Sequence, residues 1–382
     1  MSVEMRTPVL TIVPRLPPSV GGVEDYGWQL ALQWRQQLGI ETVFLVGDPQ
    51  WQAPPNAPFV VNRVEQRSPQ ALLSQLPGQG TVLLHYVGYG YARRGCPVWL
   101  VDGLEQWGRG RSGRILITLF HEVYATGMPW TSAFWTSPLQ RHLATRLAHL
   151  SDRLLTSKQG YADLLRQLCP SHTHPIPTLP VFSTIGEPSP VLPLSQRSPW
   201  LVVFGGAGAR SRVYGRSLPA LAHIGQQLGI QRILDIGAPL ERLPPLQGIA
   251  IESLGVLPAD QISSLFSQSM VGFLDYPADF LAKSTIFAAY CAHGLFPVNA
   301  APPSPKPDGV IAGQHYWQAS DRPPSPEEQM AIAQNAYDWY QAHRLSVQAE
   351  TIAQNLNLRS VQAIAECPPN PKSKIYSNQR VD

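Results

Sequence analysis

The sequence predicts an α/β protein of two halves, each built from a parallel sheet and its helices. Short apolar runs, typical of buried strands, alternate with longer helical patterns, and this alternation starts again after a Pro-rich stretch. A chain of 382 residues is also too long for a single domain with one hydrophobic core, and its length fits two domains of roughly 150 to 200 residues each. Two such domains predict a cleft between them.

The composition favours a globular protein with a cytoplasmic location. Hydrophobic residues make up 44% and charged residues 14% of the chain, and no apolar run approaches the ~20 residues that span a bilayer. Pro8, Pro14, Pro17 and Pro18 interrupt any apolar signal core. The four cysteines are far apart, which favours reduced thiols. The net charge of +3 is small, so we expect no nucleic-acid partner.

The first half opens with a strand over residues 9–13. A loop that carries Gly21 and Gly22 then leads into a helix predicted over 24–38. This order is the opening of a Rossmann-like unit, in which a glycine pair lets the backbone approach a diphosphate at the helix start. A plain β-α turn also accommodates two glycines, and for an isolated pair it is the more common case.

Further strands are predicted at 42–46, 81–85 and 115–120. The loop over residues 85–95 is dense in aromatic, Gly and Arg residues. A loop of this kind at the carboxyl end of a strand suits stacking on a sugar and recognition of its hydroxyls. A packed surface loop is an equally good explanation. The candidate side chains here are His85, Tyr89 and Tyr91.

His121 and Glu122 come directly after the strand at 115–120, where parallel α/β sheets place ligand-facing groups. A His at this position can act as a base or donate a hydrogen bond to substrate, although a lone His is more often structural. We take His121 and Glu122 as the candidate catalytic residues. Apolar residues at helical spacing then predict a helix over 138–150.

Prolines between the two halves leave no room for a regular helix and predict an interdomain connection. We expect a first domain over residues 1–170, this linker over 171–199 and a second domain over 200–345. A further helix over 346–366 and a disordered tail over 367–382 complete the prediction.

The second half opens as the first does, with a strand over 200–204, a glycine loop and a helix that runs to about residue 228. Arginines lie beside the glycines, and this combination is typical of a loop that binds phosphate. A solvated basic helix start has the same composition. The candidate phosphate ligands are Gly206, Arg210, Arg212 and Arg216.

The segment 275–298 reads as a strand end, a loop, a helix start and the next strand. Lys283, Ser284 and Thr285 open its helix. The free N–H groups of a helix start attract anions, and a lysine beside two hydroxyls adds a charge and two donors for a phosphate. An ordinary N-cap on a buried helix is the alternative.

Three local pieces, in this order, resemble the GT-B glycosyltransferases, particularly the retaining group that uses nucleotide sugars. They are the glycine loop at 21–26, the run at 254–266 before the donor site, and the strand at 292–298 after it. The resemblance implies two Rossmann-like domains that face a central cleft, and a hexosyltransferase activity without cofactor or metal.

By this resemblance the second half binds the nucleotide-sugar donor and the first half holds a saccharide, lipid or small-molecule acceptor. The donor diphosphate would contact the Arg210–Arg212 loop and the 283–285 helix start, and the acceptor would lie near Tyr89, Tyr91 and His121. Local basic charge in the first half also allows peripheral membrane contact. The arginines concerned are Arg93, Arg94, Arg109, Arg111 and Arg114.

The sequence departs from this family at one motif. Retaining members carry two Glu residues eight positions apart, but Leu281 and Ala289 occupy those places here, and no Glu occurs between Glu252 and Glu327. This leaves two alternatives of the same fold, a binding protein without catalysis and a nucleotide-sugar epimerase. A less favoured NAD-binding enzyme is suggested by the incomplete Gly-x-Gly fingerprint at 206–208 and by Asp235.

Overall fold

The computed structural model describes residues 8–19, 21–109, 113–246, 248–304, 308–320 and 322–356. Two six-stranded parallel sheets with flanking helices confirm the predicted α/β class and its two Rossmann-like halves. The predicted helix beyond residue 356, the tail over 367–382 and Arg111 lie outside the described residues. None of the described helices is long and apolar enough to cross a membrane.

The first sheet has the strand order β3-β2-β1-β4-β5-β6, and every neighbouring pair is parallel. Its strands are β1 (Val9–Val13), β2 (Thr42–Val46), β3 (Val60–Arg63), β4 (Gly80–Tyr86), β5 (Arg114–Phe120) and β6 (Arg153–Thr156). Its helices are α1 (Gly22–Gln33), α2 (Pro69–Leu73), α3 (Gly88–Tyr91), α4 (Val98–Gly108), α5 (Ser132–Leu150) and α6 (Gln159–Leu168).

The second sheet has the order β12-β11-β10-β7-β8-β9. Its strands are β7 (Ser198–Phe204), β8 (Arg232–Ile236), β9 (Ala250–Gly255), β10 (Ser269–Leu274), β11 (Phe296–Asn299) and β12 (Trp317–Gln318). The remaining helices are α7 (Ala207–Arg216), α8 (Leu218–Gln227), α9 (Ala259–Gln268), α10 (Thr285–Ala292), α11 (Pro326–Gln341) and α12 (Leu345–Asn355).

Counted along each half, both sheets have the strand order 3-2-1-4-5-6. The order reverses between the first and fourth strands, and ligands of such folds bind in the crevice at the carboxyl ends of these strands. In this chain the reversal lies between β1 and β4 in one half and between β7 and β10 in the other. The topology therefore points to the loops after these four strands.

The sequence pattern predicts neither β3 nor α4. β3 is an edge strand whose four residues are exposed or half-buried, so it lacks the apolar run of a buried strand. Seven of the 11 residues of α4 are buried, so it shows no clear polar face.

Helix boundaries also differ from the predicted ones. α5 begins at Ser132, six residues before Pro138, because the hydroxyl of Thr131 caps it by accepting from Phe134 N at 3.4 Å. The helix predicted to run to residue 228 is interrupted at Ser217, where α7 ends and the proline-opened α8 begins.

The two halves are joined by α12, which returns to pack on α1. The hydroxyl of Tyr26 donates to Gln348 Oε1 at 2.5 Å, and the indole of Trp34 donates to Ala349 O at 2.9 Å. All four residues are buried. One hydrophobic core cluster accordingly includes side chains from both halves.

Gly272 in β10 fixes the position of α10 over the second sheet. A Cβ added there would lie 2.5 Å from Cδ2 of Tyr290. The hydroxyl of Tyr290 is held in place because it accepts from Phe204 N and lies near two strand carbonyls, each at 3.2 Å. We expect Gly272→Ala to lower the free energy of unfolding by about 1–3 kcal/mol through overpacking, measured by urea denaturation.

The matched control is Gly215→Ala in α7, where an added Cβ meets no heavy atom within 4 Å. This change should raise the free energy of unfolding by about 0.5–1 kcal/mol, because alanine is the better helix former. Equal effects of the two substitutions would show that the close contact with Tyr290 is unimportant.

Candidate functional site

A cavity of about 750 Å³ lies between the two halves. Its walls follow the carboxyl ends of β5, β6, β7 and β10, so it includes two of the four loops to which the strand order points, those after β7 and β10. The polar and aromatic residues that line it are Glu122, Tyr124, Thr126, Lys158 and Tyr161 from the first half and Arg212, Arg216, Tyr276, Phe280 and Lys283 from the second.

Two lysines from opposite halves meet in this cavity. Lys158 Nζ donates to Asp279 O at 2.7 Å and lies 3.9 Å from the ring centroid of Phe280. Lys283 Nζ lies 3.7 Å from Glu122 Oε1 and donates to the Tyr161 hydroxyl at 3.3 Å. Both ammonium groups are therefore held by aromatic rings and polar partners across the cleft.

Burial lowers the pKa of the Lys283 ammonium below its ordinary value. The carboxylate of Glu122 acts in the opposite direction, and the positive charge of Lys158 adds to the lowering. An anion in the cavity would favour the charged form of Lys283, as an opposite charge does for any ammonium.

Arg212 and Arg216 occupy one exposed face of α7, four residues apart. Arg216 Nε donates to Asp275 Oδ2 at 2.8 Å, and Arg212 Nε donates to Asp275 O at 3.3 Å. Burial would raise the pKa of Asp275, but hydrogen bonds from Arg216 and Ser217 outweigh it and hold this pKa below its usual range. With Lys158 and Lys283, four cationic side chains line one cavity.

The expectation that Arg210 binds phosphate is wrong. Its side chain is fully buried, where Nη1 forms an ion pair with Asp235 Oδ2 at 2.6 Å and Nε donates to Gly205 O at 2.9 Å. Arg210 lies on the inner face of α7 together with Val213, whereas Arg212 lies on the outer face. Asp235, the acid that suggested an NAD-binding enzyme, is buried in the same ion pair.

Ser284 is also not available as a ligand. Its hydroxyl is buried and accepts from Phe287 N at 3.2 Å, which is the ordinary N-cap considered as the alternative. Thr285 is half-buried next to the glycine loop, since a Cβ on Gly22 would lie 4.0 Å from Thr285 Cγ2. The N-termini of α1 and α10 therefore approach each other across the cleft.

The glycines of the two loops do not line the cavity. At Gly21 an added Cβ would overlap the carboxylate of Glu24, which folds back over the start of α1. Burial raises the pKa of the neighbouring Asp25 to about 6, and the charge of Glu24 contributes. Gly206 caps α7, and an added Cβ there would meet open space.

His85 and His121 form a buried pair, with His85 Nδ1 3.0 Å from His121 Nε2. The ring of Tyr26 packs edge-on against both imidazoles. Burial lowers the pKa of His85 to about 3 and lowers that of His121 well below its ordinary value, so both are neutral at pH 7. Glu122, beside this pair, is half exposed and faces the cavity.

Two of the acceptor candidates cannot contact a ligand. His85 and Tyr91 have no exposed surface, and the hydroxyl of Tyr91 bonds to Ile12 O and His85 O. His85 thus lies behind His121 and positions it. Tyr89 is 46% exposed but lies beside α5, where its hydroxyl accepts from Gln140 Nε2 at 3.3 Å.

The sequence interpretation did not select Lys158, Tyr161, Tyr276 or Phe280. A signal for Lys158 was present, because it follows the short strand β6 at its polar carboxyl end. The two positions where the resembling family carries Glu are buried in this chain, and no side chain at Leu281 or Ala289 reaches the cavity.

Removing the guanidinium of Arg210 would leave the Asp235 carboxylate buried without its ion-pair partner. We expect Arg210→Ala to lower the free energy of unfolding by about 3–5 kcal/mol, measured by urea denaturation. Arg212→Ala is the matched control from the same helix and should cost about 1 kcal/mol or less, since it removes one weak hydrogen bond. A small effect at Arg210 would restore it as a possible ligand-binding residue.

The buried histidines predict a pH dependence. Burial lowers the pKa of His85 in the folded state to about 3. At any pH between this folded-state pKa and the ordinary histidine pKa, the unfolded chain therefore binds a proton that the folded chain does not. Stability therefore falls with acidification, by about 2 kcal/mol per such histidine from pH 7 to pH 5. Urea denaturation at the two pH values should show a smaller loss in His85→Gln than in the unsubstituted protein; equal losses would contradict the assignment.

No protein-family model matches the sequence, and no curated protein matches it. Solved structures match nearly the whole chain. An α-glucosyltransferase in complex with UDP and a 13-mer DNA is 10% identical with a TM-score of 0.53, and the alignment covers 91% of this chain and 98% of that one. WaaG, a glycosyltransferase involved in lipopolysaccharide biosynthesis, is 12% identical with a TM-score of 0.54, covering 92% and 100%.

A putative UDP-N-acetylglucosamine 2-epimerase from Listeria monocytogenes is 13% identical with a TM-score of 0.50, covering 96% of this chain and 99% of that one. Such low identities show the fold alone. Because one of these structures contains DNA, the fold gives no support to the expected absence of a nucleic-acid partner. The resemblance inferred from the sequence is confirmed at the level of architecture: the chain has the GT-B fold.

Proposed function

We propose that the protein transfers a sugar from a nucleotide-sugar donor to an acceptor in the cavity between its halves. The observation that carries the proposal is the set of four cationic side chains, two lysines and two arginines, around one cavity at the carboxyl ends of two Rossmann-type sheets. The UDP bound to the similarly folded α-glucosyltransferase supports it.

In this proposal the donor diphosphate lies against Arg212, Arg216 and Lys283, with Lys158 opposite. A nucleoside diphosphate gains negative charge as its bond to the sugar breaks, and fixed cations stabilise that charge without reorganising. Arginine adds a planar fork that matches two phosphate oxygens. We therefore propose that the reaction needs no metal or other cofactor.

Glu122 is the carboxylate that we assign to the transferred sugar. It is half exposed among the residues that line the cavity, and Lys283 holds it at 3.7 Å. His121 lies next to it in the chain, largely buried and fixed by His85, so it orients the site from behind. A saccharide, lipid or small-molecule acceptor would approach along Tyr124 and Thr126 of the first half.

Epimerisation of a nucleotide sugar is the second candidate, because an epimerase structure has the same fold over 96% of this chain. The two reactions share a bound nucleoside diphosphate but differ in their products. Analysis of the products by NMR separates them, since transfer yields free nucleotide and a new glycoside, whereas epimerisation yields an isomerised sugar.

Nucleotide binding tests the donor site. We expect one of UDP, GDP, ADP or TDP to raise the melting temperature of the protein, because it binds only the folded state. Arg212→Gln and Lys283→Gln should each weaken that binding by about 1.5–3 kcal/mol, the range of a charge-assisted contact. The matched control is Arg232→Gln, which removes a half-exposed arginine at the amino end of β8, away from the cavity.

Unchanged affinity in both cavity variants would remove the proposed donor site. Stabilisation by NAD alone would favour a dinucleotide enzyme. Specific binding of a nucleotide sugar without any turnover would favour a binding protein of this fold. Glu122→Gln adds a test of the chemistry, since it should lower turnover far more than it lowers the melting temperature.

A further inference from the structure

An aromatic surface lies outside the cavity on the first half, formed by Met128, Trp130, Phe134, Trp135 and Leu139. Their exposed fractions are 60%, 81%, 41%, 73% and 44%, respectively. The five residues come from the loop before α5 and from the first eight residues of this helix. Large apolar side chains gathered in this way mark a binding surface more often than scattered single ones do.

The position of these residues on α5 explains their exposure. The inner face of the helix is formed by Gln140, Leu143, Ala144 and Leu147, which pack on the first half. Phe134 and Trp135 point away from this face and Leu139 lies at its edge; the rings of Phe134 and Trp135 contact each other at 5.3 Å between centroids. The core of this chain therefore does not use them.

Three exposed arginines lie on α5 or in a turn that packs against it. Arg141 is two residues after Leu139 on α5, and Arg93 and Arg94 belong to the turn that packs on the same helix. Within the described residues no acidic side chain forms an ion pair with any of the three. The helix that carries the aromatic surface therefore also carries or contacts exposed positive charge.

Gln140 connects this surface to the cavity. Its buried amide accepts from Ala125 N at 2.8 Å and donates to Arg94 O at 2.8 Å. Ala125 lines the cavity, and the chain reaches Met128 three residues later. One side chain therefore fixes the cavity loop, the arginine turn and the aromatic helix relative to each other.

We infer that the aromatic surface docks the protein on an anionic lipid bilayer, with α5 in the plane of the headgroups. Tryptophan suits the boundary between water and lipid because its ring is apolar and its N–H is polar, and nearby arginines are attracted to anionic headgroups. Met128, Phe134 and Leu139 supply the purely apolar contact that an interfacial helix needs. This inference does not depend on the proposed reaction.

A nucleic acid fits the surface less well. Its phosphates call for a longer track of cations than three arginines, and stacking on bases needs no methionine or leucine. A second copy of the chain would bury the same apolar side chains but leave the arginines facing each other, since the surface carries no acid to pair with them.

Co-sedimentation with vesicles tests the inference on the full chain. We expect the protein to bind vesicles of phosphatidylcholine and phosphatidylglycerol, and to bind phosphatidylcholine alone more weakly. Trp130→Ser with Trp135→Ser should lower partitioning at least about tenfold, from the apolar area lost. Each of Arg93→Gln, Arg94→Gln and Arg141→Gln should lower it about fivefold at low salt.

Ile311→Ser and Arg232→Gln serve as matched controls from the second half, where each removes an exposed apolar or cationic side chain. Their partitioning should equal that of the unsubstituted protein, and unchanged melting temperatures establish that all variants fold. Equal binding by the surface variants and the controls would overturn the inference. Tryptophan-dependent self-association or oligonucleotide binding, without vesicle binding, would overturn it in favour of a second copy or a nucleic acid.

Discussion

The cavity depends on the contact between α12 and α1. A space bounded by two halves has defined walls only when the halves are held relative to each other, and Tyr26 and Trp34 provide this through buried hydrogen bonds to Gln348 and Ala349. Tyr26 also packs against His85 and His121. The same ring therefore contacts both the returning helix and the histidine pair.

The arginines of α7 separate into a buried, structural one and two that face the cavity. Arg210 neutralises Asp235 in the interior of the second half, where an unpaired carboxylate would be costly. Arg212 and Arg216, on the other face of α7, support Asp275 while parts of their guanidinium groups remain open to the cavity. Burial, and not residue type, decides which arginine is available to an anion.

The sequence predicted the sheets well because buried parallel strands are continuous apolar runs, as at β1 and β2. Two of the residues selected from the sequence, Glu122 and Lys283, line the cavity. The prediction that Arg210 binds phosphate was wrong. Residues two positions apart along a helix lie on different faces, so the sequence already indicated that Arg210 and Arg212 do not point the same way. His85 and Tyr91 could not be assigned from spacing, because their burial depends on contacts between distant segments.

The origin of the four cations has a thermodynamic consequence. Lys158 belongs to the first half, whereas Lys283, Arg212 and Arg216 belong to the second, so their charges converge only when the halves are together. An anion that contacts all four binds this closed arrangement more tightly than any arrangement in which the halves have separated. By linkage, binding such an anion favours closure to the same extent that closure strengthens binding. Such an anion would thus act as a link between the two halves.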